Sequence, residues 1–234
     1  MARIVAVGNL KGGVGKSTLA VNLACQLAAG CTVRLVDADA QETTAEWLAG
    51  GALPIEGEAL PLDDQKQAQA WIRRIRAMAA DLVVIDLPPH TGAATAVALF
   101  LCDLFLVPVA PSGLDLRAAA KALDMLREAR ALRGDGKPAA LLVPSRVDRR
   151  IGAGWEIEAA LHEMVEPVGP AIGARSVFVD SATAREWVGA FAAHSRIRKS
   201  PPSPRWWTGS HGRAAHDDQA EAQGKPAGRH EGRC

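Results

Sequence analysis

The sequence predicts an α/β fold: a doubly wound, mostly parallel sheet flanked by helices, followed by a disordered C-terminal tail. Three observations carry this. Short apolar runs alternate with helical patterns along the chain. The runs are apolar on both faces, as strands covered on both sides must be. After residue 194 the periodicity stops, and Pro, Gly, Ser and His take over.

Strands are expected at Ile4 to Val7, Val33 to Val36, Leu82 to Ile85, Leu104 to Val109 and Ala140 to Val143, each bounded by turn signals or charges. Helical patterns lie between them at Lys16 to Ala29, Thr43 to Leu48, Gln65 to Ala79, Gly92 to Leu101, Leu116 to Leu132 and Trp155 to Met164. In the first helix Leu19, Ala20, Leu23, Ala24 and Leu27 form one stripe, and Gly30 stands where a left-handed C-terminal cap belongs. Strands alternating with helices imply parallel pairing through right-handed crossovers.

A chain of 234 residues fits one α/β domain, residues 1–194, with an appendage, residues 195–234. The net charge of +1 carries no bulk signal for nucleic acid. The tail is mildly basic, with eight Lys/Arg against four Asp/Glu, which leaves 19 basic and 22 acidic residues in the body. Three readings of the tail stay open: a solvated tail, a weak electrostatic arm for DNA on which Trp206 and Trp207 stack bases, and an aberrant continuation of the gene. Cys25, Cys31, Cys102 and Cys234 show no C-x-x-C spacing and read as reduced structural thiols. The N-terminus runs straight into a strand pattern without a signal peptide, and no apolar run approaches the ~20 residues that cross a bilayer. A cytoplasmic protein is expected.

The chemistry begins at "VGNLKGGVGKST", between the first strand and the first helix. Gly12, Gly13 and Gly15 flank Val14 and let the backbone take positive φ, so that consecutive N–H groups aim at phosphate oxygens. The helix starting near Lys16 adds its positive dipole end. Lys16 is placed for the β and γ phosphates, and of the hydroxyls of Ser17 and Thr18 the first is placed for Mg²⁺. The stretch resembles the phosphate loop of a P-loop NTPase, with one departure: Leu10 occupies the position of the first glycine, and a second lysine, Lys11, follows it.

Carboxylates at strand ends of such a sheet face the ligand crevice. Asp86 closes the run "LVVID" and is expected to hold Mg²⁺ through a bound water. Asp37 and Asp39 close "VRLVDAD"; on an extended chain they point to opposite sides, so one of them faces the phosphate. Asp39, farther out, is expected to orient the attacking water. The alternative for this pair is an N-terminal cap on the helix after Gln41.

Together "KGGVGKST", "VDADAQ", "VVIDLPP" and "LVPVAPSGLDLRAAAKAL" resemble the ParA-type partition ATPases with a deviant Walker A motif, in the short form without an N-terminal DNA-binding domain. The match runs in order over roughly residues 3 to 190. The resemblance implies a Mg²⁺-dependent ATPase acting in plasmid or chromosome partitioning, a homodimer in the ATP state. It makes Lys11, Lys16 and Asp39 the catalytic residues, Lys11 reaching the partner subunit's phosphates and Lys16 serving its own. It implies nonspecific DNA binding in the ATP state, nucleoid or plasmid association, and a centromere-binding partner protein that stimulates hydrolysis. The family's DNA-contacting arginine falls on Arg175, with Arg149, Arg150 and Arg185 as further candidates. The sequence departs from the family in carrying Ala40 where D-x-D-P-Q has proline, and in lacking a closing helix beyond the region of Trp187 to Phe191.

Neighbouring classes fit less well. Tyrosine autokinases of the superfamily need a tyrosine cluster, and the chain has no tyrosine. The nitrogenase iron protein needs two cysteines after its switch regions, where only Cys102 is loosely eligible. MinD-type regulators end in an amphipathic membrane helix, for which the tail offers no apolar face. Relatives that position other cargo, and a nucleotide-gated scaffold or regulator with little turnover, stay open.

Overall fold

The computed structural model describes residues 1–194 except 42, 51 and 52, and of 192–194 the backbone alone. The expected disordered tail at 195–234 lies outside the described residues, as does the absence of a helix beyond them.

Six strands form one all-parallel sheet: β1 (Arg3–Val7), β2 (Val33–Asp37), β3 (Glu56–Ala59), β4 (Leu82–Asp86), β5 (Leu104–Val109) and β6 (Ala139–Pro144), in the order β3-β2-β4-β1-β5-β6. The helices are α1 (Lys16–Leu27), α2 (Thr43–Leu48), α3 (Ala68–Arg76), α4 (Ala93–Leu101), α5 (Gly113–Arg133), α6 (Gly152–His162), α7 (Ser176–Ala184) and α8 (Val188–His194). Alternation along the strands fills both layers. Ile4 and Ala6 of β1 join the core under α3, α4, α5 and α6, where Trp71, Ile75, Leu99, Leu126 and Leu161 are buried. α1 lies on the opposite face with α2 and α8. Each such buried aliphatic contributes about 1.5–3 kcal/mol.

The differences from the sequence reading have local causes. β3 was not expected because its sequence, Glu-Gly-Glu-Ala, has no apolar run; it is an edge strand paired only with β2, its charges tied across the surface by the pairs Arg34–Glu56 and Arg74–Glu58. Gly57 allows that pairing, since a Cβ there would stand 2.2 Å from the Leu35 carbonyl oxygen. α7 is short and half-exposed and α8 is short, so neither leaves a clear stripe; α8 is fastened to α1 by the Val188 N–H donating to Asn22 Oδ1 at 2.8 Å. Gly30 does not form a left-handed cap: α1 ends at Leu27 on a right-handed Ala28, whose N–H donates to the Ala24 carbonyl. The expected helix at Gln65 to Ala79 divides, because Asp64 accepts from the Lys66 N–H and starts a 3₁₀ turn, Gln65–Gln67, before α3. α5 is longer than expected, capped by Ser112 at its start and by left-handed Gly134 at its end.

Among the described residues no helix is long and apolar enough to cross a membrane. Cys25, Cys31 and Cys102 are free thiols, and burial pushes Cys25 and Cys102 up to about 12.

Replacing Gly57 by Ala should cost about 1–3 kcal/mol, because the added methyl must displace backbone rather than a flexible side chain. Urea unfolding of Gly57→Ala checks this; a midpoint equal to the parent's would refute the close β2–β3 approach.

Candidate nucleotide and metal site

A parallel sheet brings the carboxyl ends of all its strands to one edge. The register sets three of them level: Val7 of β1 and Asp37 of β2 both pair with Asp86 of β4. The phosphate loop leaves β1 at that level. Most buried polar side chains gather here as well, among them Asn9, Lys16, Asp37, Thr44, Asp86, Asp115 and Ser145. Burial without a partner costs a polar group roughly 1–3 kcal/mol, so this concentration marks a site under functional constraint.

Within the loop, Gly13 and Gly15 adopt positive φ, 76° and 96°, while Gly12 does not. Val14 is buried and anchors the loop; Gly15 is the N-cap of α1, which has neither a side-chain cap nor an acidic residue in its first turn. The first N–H groups of α1 are therefore left to an anion. Lys16 Nζ donates to the Lys11 carbonyl at 3.0 Å. Burial lowers the Lys16 pKa, opposed by the charges of Asp86 and then Asp39, which places both acids within electrostatic reach of its ammonium. Ser17 and Thr18 follow on the first turn of α1, both half-buried.

The two aspartates of D-x-D separate in role. Asp37 is fully buried and accepts from the N–H groups of Thr44 at 2.8 Å, Ala45 at 2.9 Å and Asp39 at 3.0 Å. It is the cap of α2, the reading held open for the pair. Asp39 is half-exposed, and its Oδ1 accepts from the Gln41 N–H at 3.0 Å.

Asp86 is buried, and Oδ2 accepts from the Thr44 hydroxyl at 2.7 Å. Oδ1 is equally buried and has no hydrogen-bond partner. Burial pushes the carboxyl up to about 7, against the Thr44 and Ser17 hydroxyls and the Lys16 charge, which hold it down. An orphaned carboxylate oxygen beside a serine hydroxyl and a phosphate loop fits a hard cation such as Mg²⁺, which takes oxygen ligands and keeps several waters. Among the described residues no three His, Cys, Asp or Glu side chains converge as a metal cage, so such a cation would share its shell with phosphate oxygens.

Lys11 is 37% exposed at the side chain, and its Nζ is paired at 2.8 Å with Asp115, the buried acid in the first turn of α5. Ser112 Oγ bonds the same carboxylate. Arg146, at positive φ of 55°, donates to the Gly13 carbonyl at 2.6 Å, and Ser145 lies under Gly15. The sequence reading missed Thr44, Asp115, Ser145 and Arg146. They are 42, 104, 130 and 133 residues from their partners Asp86, Lys11, Gly15 and Gly13, and no spacing rule reaches that far.

The arginines considered for DNA do not form one set. Arg149 stacks on Trp155 and pairs with Glu158, and Arg150 pairs with Asp148. Arg185 closes α7 in a left-handed conformation against Gly50. Arg175 is exposed at the start of α7 and makes no ion pair among the described residues. Two open grooves of about 500 Å³ each, which share Arg34 and Glu58, lie along the β3 edge, and neither is lined by a residue of the phosphate loop.

The raised Asp86 pKa has a stability consequence. An acid whose folded pKa lies above its unfolded value binds its proton more tightly when folded, so stability falls as pH rises from about 4 to about 7 and the full cost stands above that. Asp86→Asn should stabilise the nucleotide-free protein at pH 8 by on the order of 1–3 kcal/mol, and by much less at pH 4. Thermal melts at the two pH values check this; an equal change at both would contradict it.

The family model for the CobQ/CobB/MinD/ParA nucleotide-binding domain matches residues 5–168. The chain is 33% identical over 218 residues to the maintenance of carboxysome distribution protein A of Gloeobacter kilaueensis, covering 92% of this chain and 90% of that one. It is 33% identical to the chromosome-partitioning ATPase Soj of Thermus thermophilus, over 55% of this chain and 63% of that one. The solved structure of apo McdA from Cyanothece superposes with a TM-score of 0.69 at 16% identity, covering 83% of this chain and 95% of that one, a likeness of fold. The chain belongs to the CobQ/CobB/MinD/ParA nucleotide-binding family and is an ATPase of the ParA/MinD type.

Proposed function

We propose that the protein is an ATP-gated dimerisation switch that distributes a large cargo through the cytoplasm. In this reading the ATP state is a homodimer that binds DNA nonspecifically, and hydrolysis, stimulated by a partner protein, is the reset. The observation that carries it is Lys11: a second lysine in the phosphate loop, half-exposed, whose ammonium is paired with the side chain of Asp115. Two nucleotides buried face to face would bring many phosphate charges together, and a cation donated from each protomer offsets that repulsion. Lys11 would then exchange Asp115 for the partner's phosphates.

In this reading the other groups carry hydrolysis. The oxygen of water attacks the γ-phosphorus in line, and the bond from that phosphorus to the β,γ-bridging oxygen breaks, its electron pair leaving with ADP. Asp39, outside the cap that occupies Asp37, orients that water. Lys16 and the free N–H groups of α1 hold the phosphates. Ser17 directly, and Asp86 through a water, would hold Mg²⁺, whose charge offsets that of the β and γ phosphates.

Positioning of a protein cargo is supported by a likeness to the carboxysome distribution protein that spans nearly the whole chain. The likeness to Soj, over about half of it, favours a second reading, plasmid or chromosome partition with a centromere-binding partner. Arg175 is the DNA contact proposed for either. The gene neighbourhood separates the two readings, since partition calls for an adjacent small DNA-binding partner.

Lys16→Ala should abolish nucleotide binding. Asp39→Ala should keep ATP and accumulate as dimer with turnover lost; hydrolysis at the parental rate would remove Asp39 from catalysis. Lys11→Ala should bind ATP as a monomer yet sediment without the dimer. Loss of monomer binding instead would return Lys11 to being an ordinary loop residue.

A further inference from the structure

Thr44 is 0% exposed, at the first turn of α2. A threonine there ordinarily turns its hydroxyl to nearby backbone. This one divides its two donors between strands: its N–H goes to Asp37 Oδ2 of β2 at 2.8 Å, and its hydroxyl to Asp86 Oδ2 of β4 at 2.7 Å. Asp37 and Asp86 are register partners, so Thr44 bridges two buried carboxylates side by side. Occupying Oδ2 fixes the rotation of the Asp86 carboxylate and leaves Oδ1, buried and unpartnered, as the oxygen for a cation or its water. Asp37 in turn bonds the Asp39 N–H at 3.0 Å.

We propose that Thr44 is a positioning residue for Mg²⁺: it presents Asp86 Oδ1 to the metal site and ties that site to the start of α2 and to Asp39. Thr44 touches neither nucleotide nor metal and acts only through Asp86. The inference rests on the assignment of Asp86 to the metal made above.

The test is a Mg²⁺ titration of ATP binding, read by a fluorescent ATP analogue, beside the same measurement in EDTA. Thr44→Val keeps the N–H bond to Asp37 and the side-chain volume while deleting the hydroxyl. Its half-saturating Mg²⁺ should rise about tenfold, with metal-free nucleotide affinity unchanged. Thr44→Ser should stay within about twofold of the parent. Thr44→Ala is measured alongside, so that a folding failure of the valine variant leaves a hydroxyl deletion to decide. A parental Mg²⁺ titration in the hydroxyl deletions, or an equal loss in Thr44→Ser, overturns the proposal. Asp86→Asn separates the two levels: if it too titrates like the parent, the metal assignment of Asp86 fails, and Thr44's role with it.

Discussion

The burial of Asp37 and Asp86 side by side, level with the end of β1, is the constraint on which the rest of the site depends. Two carboxylates in a poorly solvated place repel and lose hydration, and each needs donors. Asp37 takes the free N–H groups at the start of α2, which fixes where that helix begins. Asp86 takes one hydroxyl and keeps one oxygen unsatisfied, with its carboxyl near neutrality. Such an arrangement is costly in the empty protein and suits a cation.

The cationic side of the site is organised by the same economy. α1 begins on a glycine with nothing capping it, so its dipole end and N–H groups point into the loop. Lys16 is buried beneath, bonded to the backbone of Lys11, while the Lys11 side chain is held away by Asp115 at the start of α5. One loop thus carries a buried cation bonded to its own backbone and a half-exposed one paired with the buried acid of another element. In the proposed dimer the partner's phosphate charge would replace that acid.

Much of this was legible in the sequence, for physical reasons. Parallel strands buried on both faces must be apolar throughout, so the five runs that form β1, β2, β4, β5 and β6 stood out, whereas β3 and the short helix α7 bury too little to leave a pattern. The phosphate loop was legible because glycine, lysine and hydroxyl at fixed offsets have few other uses. What spacing could not carry was that Asp37 is the one that caps α2, which the closeness of that helix decides, and the partners Thr44, Asp115 and Arg146, each brought in by tertiary folding. Gly30 shows the opposite error: a glycine at a helix end suggests a left-handed cap, yet α1 closes through a right-handed turn two residues earlier.

The account's central claim is that nucleotide state sets the oligomeric state through Lys11. Light scattering on the parental protein with Mg²⁺ and a non-hydrolysable ATP analogue, against Mg²⁺ and ADP, tests it most directly. The account predicts the mass of two chains with the analogue and of one chain with ADP. The same mass in both states, whether one chain or two, would contradict it.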